Sequence, residues 1–311
     1  MTLIIWILVF LASLVLLIKS ADWLLHSSEK IGLAIGLSPF IVGVTIVALG
    51  TSLPELISSM VAVFQGVSEI VVANVVGSNI ANILLVVGVS VVLGKRLTVS
   101  KDLIDLDLPL LALATSIFLI VAWDGEVGII ESIILLVTYG IYLLFTILYK
   151  EGSDNVEVID KPKITAVDIT LLFVGVIGLS IGAKYLVDSI INLSEILKIG
   201  AGVITITAVA LGTSLPELIV SAKAALNSRS EVALGNVFGS NIFNVLAVVG
   251  IPGIFGNLNI DSETIFIGFP FLILATSLFI VSGISKRIHI QEGVLYLIIY
   301  LLFTVKLFGL F

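Results

Sequence analysis

No cysteine occurs in the 311 residues, so disulfide frameworks and thiolate metal sites are excluded outright. Histidine is nearly as scarce: His26 stands alone, and His289 lies beside Lys286 and Arg287. A zinc site needs several convergent ligands, which two isolated imidazoles do not supply. Charge is short as well. Asp, Glu, Lys and Arg make up 12% of the chain, against about 25% in soluble domains. That leaves too little polar surface to face water, while 59% of the residues are hydrophobic. Burial in a bilayer accounts for both figures. The net charge of −7 carries little weight, because the charges sit mainly in loops and at helix ends.

A bilayer crossing takes about 20 mostly apolar residues. Ten such stretches follow one another, at 2–20, 37–63, 69–93, 103–122, 127–149, 164–186, 199–225, 231–255, 261–282 and 290–310. The first lacks the positively charged start of a secretory signal and outruns the usual apolar length of one, so it reads as a retained helix. One clear linker, EGSDNVEVIDKPK at 151–163, divides the chain into units of 1–150 and 164–311, five helices each.

Lys and Arg in short loops set orientation. One side of the predicted bundle holds twelve of them: Lys19, Lys30, Lys95, Arg96, Lys101, Lys150, Lys161, Lys163, Lys223, Arg229, Lys286 and Arg287. The other holds Lys184, Lys198 and Lys306. The linker is therefore expected in the cytoplasm and both termini outside. An odd number of helices per half then forces opposite orientations, the geometry of inverted-topology transporter repeats.

The sequence repeats as the topology does. Residues 48–56 and 210–218 both read ALGTSLPEL, an offset of 162. At that offset NVVGSNIAN (74–82) matches NVFGSNIFN (236–244), and Ala21-x-Trp23-Leu24 matches Ala183-x-Tyr185-Leu186. Three blocks in one register signal internal duplication. The expected fold is an all-α polytopic membrane protein of ten transmembrane helices, built as two inverted five-helix repeats.

Each ALGTSLPEL block lies in the middle of its span. Proline removes a backbone donor and clashes with the preceding turn, so Pro54 and Pro216 are expected to make helices 2 and 7 discontinuous. Gly50 and Gly212 loosen the same turn, and carbonyls such as those of Ala48 and Ala210 become free to bind a cation. A carboxylate at this depth costs a few kcal/mol and marks a pathway or a site; Glu55 and Glu217 are two. Helical spacing puts Thr51, Ser52, Ser58 and Ser59 around Glu55, and Thr213, Ser214 and Ser221 around Glu217. Asn74, Ser78 and Asn82 recur every four residues along one face, as do Asn236, Ser240 and Asn244. Gly77 and Gly239 let a neighbouring helix approach closely. Asn79 and Asn241 point roughly 100° away from Ser78 and Ser240 and read as interhelical hydrogen-bonding groups.

Together these residues offer carboxylate, hydroxyl, amide and main-chain oxygens without imidazole or sulfur, a donor set for hard cations such as Ca²⁺. One Ca²⁺ neutralises two carboxylates, as do two Na⁺ or two protons. An empty, doubly charged site is costly to move through a low dielectric, which favours obligatory exchange.

The duplicated GTSLPEL (50–56, 212–218) and GSNIxN (77–82, 239–244) motifs resemble the alpha-repeats of the cation/calcium exchanger superfamily, in particular its prokaryotic sodium/calcium exchanger branch. The resemblance spans nearly the whole chain. It implies that 1–150 and 164–311 are the two exchanger membrane repeats and that Glu55 and Glu217 are the central Ca²⁺ carboxylates. Thr51, Ser52, Thr213 and Ser214 would supply hydroxyl or nearby carbonyl oxygens. Ser78, Asn82, Ser240 and Asn244 would complete the cluster, with the carbonyls of Ala48 and Ala210 at flanking Na⁺ sites. Alternating access, with helices 1 and 6 sliding across the others, would carry over. The chain departs from the pattern at Asn244, where many exchangers have Asp, which weakens the case for K⁺ dependence and favours proton coupling. The expected function is Ca²⁺/Na⁺ antiport at the plasma membrane, with H⁺/Ca²⁺ antiport and a passive cation channel as rivals. The expected partners are Ca²⁺, a monovalent counter-ion and the lipid bilayer, with no nucleic acid or soluble protein and no cofactor beyond the transported ions. The serines of GTSLPE have no histidine base, so an intramembrane enzyme is not expected.

Overall fold

The computed structural model describes residues 3–98, 107–148, 162–196 and 214–307. Its helices are α1 (Leu3–Ile35), α2 (Pro39–Phe64), α3 (Glu69–Gly94), α4 (Asp107–Val121) and α5 (Ile129–Leu148). After the linker come α6 (Ala166–Ile196), α7 (Leu215–Leu226), α8 (Ser230–Gly253), α9 (Thr264–Ile284) and α10 (Ile290–Leu307). Eight of them are long and apolar enough to cross a membrane. Most of the linker and the first half of the span expected at 199–225 lie outside the described residues.

The helix boundaries follow local chemistry. α1 stops because Gly36 takes φ +82°, a left-handed value that glycine adopts without strain, and the Leu37 N–H closes back on the Gly32 carbonyl at 2.8 Å. Ser38 then caps α2, its hydroxyl accepting from Ile41 N–H at 3.4 Å, with Pro39 as the first helical residue.

Two helices are longer than hydropathy predicts. α1 runs for 33 residues and α6 for 31, whereas the apolar stretches suggested 2–20 and 164–186. At 1.5 Å per residue these helices are about 45–50 Å long, well beyond the roughly 30 Å hydrocarbon core. The extension of α1 is amphipathic rather than apolar. Leu24, Leu25, Ser27, Ser28 and Gly32 are buried, while Asp22, Glu29 and Lys30 form ion pairs with Lys223, Arg229 and Asp168 at 2.6, 2.9 and 2.7 Å. These pairs tie the end of α1 to the start of α6 and to the α7–α8 turn.

α8 is buried from 232 to 250 and α3 along most of its length, so these helices form the centre, flanked by α2 and α7. α1 and α6 pack side by side on this centre. Large apolar side chains such as Ile57, Phe64, Ile120 and Phe266 are exposed on the rim, as expected of surface that faces lipid.

Short strands link the halves. β1 (Arg96–Thr98) pairs antiparallel with β4 (Arg287–His289), and β2 (Glu126–Val127) with β3 (Leu258–Asn259). β1 follows α3 and β4 precedes α10; β2 precedes α5 and β3 precedes α9. Each pair therefore takes one strand from either half.

Candidate cation site

Helices that carry the duplicated motifs depart from α geometry in a repeated way. A π-turn begins at Asn82 in α3 (Asn82–Val87) and another at Asn244 in α8 (Asn244–Val248), the same register in both copies. Such insertions are rare and concentrate at functional sites. α2 has one as well, at Gly43–Val47, just before ALGTSLPEL.

For helix 2 this corrects the expected break. α2 continues through Pro54, and its irregular turn lies a few residues upstream. Proline deletes one hydrogen bond of the ladder, that to the Gly50 carbonyl, and the surrounding helices hold the rest. Nor is the Ala48 carbonyl left free: it accepts the Thr51 hydroxyl at 3.2 Å. In the second copy Pro216 sits in the first turn of α7, where its missing N–H costs nothing.

Glu55 and Glu217 are fully buried. Ser52 donates to Glu217 Oε1 at 2.8 Å. Thr51 lies 3.1 Å from Asn236 Oδ1 and 3.5 Å from the Ser240 hydroxyl. Asn236 Nδ2 in turn donates to the Ser221 hydroxyl at 2.9 Å. Thus α2, α7 and α8 meet around the two glutamates. The helix of Glu55 packs against the π-turn of Asn244, and that of Glu217 against the π-turn of Asn82.

Of the expected site residues, Glu55, Glu217, Thr51, Ser52, Ser78, Asn82, Ser214, Ser240 and Asn244 are all buried, as is Ala48. Ala210 and Thr213 lie outside the described residues. Asn79 donates to the Asn241 carbonyl at 2.9 Å, which joins α3 to α8 as expected of Asn79, whereas the Asn241 side chain is buried without a hydrogen-bond partner and does not take the interhelical role expected of it. Gly239 faces the Val44 carbonyl and the Ala48 side chain of α2 so closely that a Cβ has no room. The cross-link through Asn236 and Ser221 was not assigned from the sequence, although both residues lay on the polar faces; what a side chain reaches across a helix interface has no sequence signal.

The electrostatics are unusual. Both oxygens of Glu55, Oε2 of Glu217, and both amide ends of Asn82 and of Asn244 are buried without a hydrogen-bond partner. Buried polar groups are normally paired. No group of three or more His, Cys, Asp or Glu side chains occurs among the described residues. The donor set is thus two carboxylates among neutral oxygens.

Residues 5–148 and 167–309 match the family described as sodium/calcium exchanger protein. The chain is 34% identical to the sodium/calcium exchanger MaX1 of Methanosarcina acetivorans, covering 97% of this chain and 98% of that one. It is also 34% identical to membrane protein MJ0091 of Methanocaldococcus jannaschii, covering 94% and 95%. A solved structure of the sodium-calcium exchanger NCX_Mj, soaked without Na⁺ and Ca²⁺, superposes with a TM-score of 0.80 at 30% identity, covering 98% of this chain and 100% of that one.

Proposed function

The chain belongs to the sodium/calcium exchanger family, and from that premise we propose that it is a secondary active antiporter exchanging Ca²⁺ for Na⁺ by alternating access at a site built on Glu55 and Glu217. The observation that carries this reading is the set of buried oxygens without donors on Glu55, Glu217, Asn82 and Asn244. Leaving a buried acceptor unpaired costs about 1–3 kcal/mol, and a dehydrated cation satisfies several at once. Ca²⁺ takes about six to eight such oxygens. Thr51, Ser52, Thr213, Ser214, Ser78 and Ser240, with the carbonyls of Ala48 and Ala210, are the further oxygens in this reading. The carbonyl of Ala48 would have to give up its bond to Thr51.

Ten crossings in two inverted repeats (1–150 and 164–311, joined by the linker 151–163) are part of the proposal. Strand pairing supports it. Six helices separate β1 from β4 and four separate β2 from β3, counting both shorter helices, α4 and α7, as crossings. Even counts bring paired segments to the same side; without α7 they would be on opposite sides. The ion-paired cations Lys30, Lys223 and Arg229 share one end of the bundle. That supports the charge-based orientation, with the linker in the cytoplasm of a plasma-membrane protein and both termini outside.

Proton coupling is the second reading, and Asn244 favours it. With Asn at both 82 and 244, each copy's two motifs carry a single carboxylate, and two protons discharge the pair. Purified protein in liposomes separates the readings. We expect Ca²⁺ uptake that requires internal Na⁺ and stops when K⁺ replaces it. Uptake that ignores Na⁺ and follows a pH gradient would install the proton as counter-ion, and flux without any counter-ion would make the protein a channel.

A further inference from the structure

The two strand pairs are mates in the internal repeat. At the offset of 162, Arg96–Thr98 falls on 258–260 and Glu126–Val127 on 288–289, so β1–β4 corresponds to β3–β2. The pairing is the same and the charge is not. Lys95, Arg96, Lys286 and Arg287 stand where the other pair has Asn257, Leu258, Asp124 and Gly125. A pair without a single cation forms the same joint, so the basic residues are not what makes it. Backbone conformation argues the same way. Lys95 and Lys286 have φ of +66° and +56°, left-handed values at which Gly or Asn is the usual residue.

Register gathers the charge on one face. Arg96 is opposite His289 and Thr98 opposite Arg287, and the side chains of paired residues share a face. Leu97 and Ile288 are buried on the other, whereas Arg96, Arg287 and His289 are exposed. Arg96 and Arg287 are diagonal neighbours with Cβ atoms about 7 Å apart, a spacing at which both guanidinium forks reach one phosphate. Gly94 lies against Ala225 near the α7–α8 turn, so the patch shares its end of the bundle with Lys30, Lys223 and Arg229. Those three are ion-paired to carboxylates, whereas Lys95, Arg96 and Arg287 are in no ion pair among the described residues. Glu292, just beyond β4, is already engaged: its oxygens accept from the Ser282 hydroxyl at 2.8 Å and the His289 N–H at 2.7 Å.

The surroundings decide between a dissolved anion and a lipid. Leu93, Ile284 and Ile290, each three residues from one of the arginines, are 45%, 52% and 41% exposed, apolar surface of the kind that acyl chains cover. An anion held beside them lies at headgroup depth. We infer that Arg96 and Arg287, with Lys95 beside them, bind the headgroup of an anionic phospholipid, which cross-links the two halves of the protein. Arg96 follows α3 in the first half, Arg287 precedes α10 in the second, and the end of α3 packs on α10. The bound headgroup reinforces that joint whichever ion is exchanged.

The test uses the purified full chain in detergent, given phosphatidylglycerol or phosphatidylcholine with the same acyl chains. Bound lipid is counted by native mass spectrometry and the melting temperature is followed in parallel. Phosphatidylglycerol should bind the wild type more tightly and raise its melting temperature more. Arg96→Gln/Arg287→Gln should cut that preference about twentyfold, roughly fivefold for each charge near the surface. Lys19→Gln/Lys163→Gln removes the same charge elsewhere and should leave the preference intact. No preference in the wild type, an equal loss in both double variants, or inorganic phosphate protecting as well as phosphatidylglycerol would overturn the proposal. If the glutamine variant does not accumulate, Arg96→Lys/Arg287→Lys keeps the charge and loses the forks. A preference reduced about threefold or more there supports the site. An unchanged preference refutes it and leaves the arginines as signals for membrane insertion.

Discussion

Glycine lets helices approach closely at several crossings, and two of them differ in what meets the glycine. Between α2 and α8 it is mostly backbone: Gly235 faces the Phe40 carbonyl, Gly239 the Val44 carbonyl, and Gly43 the Val232 carbonyl. Between α1 and α6 it is mostly side chain: Gly178 faces the Ser20 hydroxyl and Gly182 the Leu17 side chain, with backbone contact at Gly175. A backbone contact has no rotamer to yield, so the α2–α8 crossing is a fixed frame. The α1–α6 seam has side chains that turn. The frame also holds Glu55 and Asn244, whereas the buried polar groups of α1 are serines: Ser13, Ser20, Ser27 and Ser28. The part of the protein that must keep its geometry is thus distinct from the pair best able to adjust against it.

The comparison breaks first if charge is not what sets the frame apart. Glu55→Gln or Glu217→Gln keeps the size and hydrogen-bonding capacity but removes the charge that offsets a cation. Each is expected to cut Ca²⁺ flux by more than about a hundredfold, because an uncompensated ion in a low dielectric costs several kcal/mol. Both proteins should still elute as single species in detergent, since neither carboxylate is ion-paired to a cationic side chain among the described residues. Flux near the wild-type level in either variant would move the site elsewhere.

Next in size is a pair of glycine substitutions. A Cβ at Gly239 meets the Val44 carbonyl and must displace backbone, so Gly239→Ala should cost about 2–3 kcal/mol. At Gly178 the obstacle is the Ser20 hydroxyl, which has another rotamer, so Gly178→Ala should cost less than about 1 kcal/mol. Melting both variants beside the wild type measures the difference. Equal losses would mean that the seam is as rigid as the frame.

How much of this was legible in the sequence depends on the kind of signal. Apolar length located α3, expected at 69–93 and found at Glu69–Gly94, and α10, expected at 290–310 and found at Ile290–Leu307. It missed the ends of α1 and α6, because their extensions are amphipathic and held by ion pairs rather than by lipid. Composition placed the irregularity of α2 at Pro54, whereas the structure has it at Gly43–Val47. A π-turn needs only one extra residue within a turn, for which GVTIV carries no sign. The residues proposed for the site stand out in the sequence because duplication marks them twice. Their asymmetry does not, since two identical motifs cannot say which of them is bonded.

The smallest effect concerns the end of α1. Asp22–Lys223 and Glu29–Arg229 join α1 to the α7–α8 region at 2.6 and 2.9 Å, and Lys30–Asp168 joins it to α6 at 2.7 Å. If α1 and α6 move together, the third bond travels with them while the first two must break or re-form. Partners that remain partly exposed, such as Arg229 at 35% and Asp22 at 44%, gain little from pairing in water. Arg229→Gln is therefore expected to cost under about 1 kcal/mol of stability, an effect that shrinks as salt rises. Its exchange rate should change more than its melting temperature, because the pair is present in one state and absent on the path to the other. A salt-independent loss of more than about 3 kcal/mol would instead be the mark of a buried pair, and would make this end of α1 part of the frame rather than of the seam.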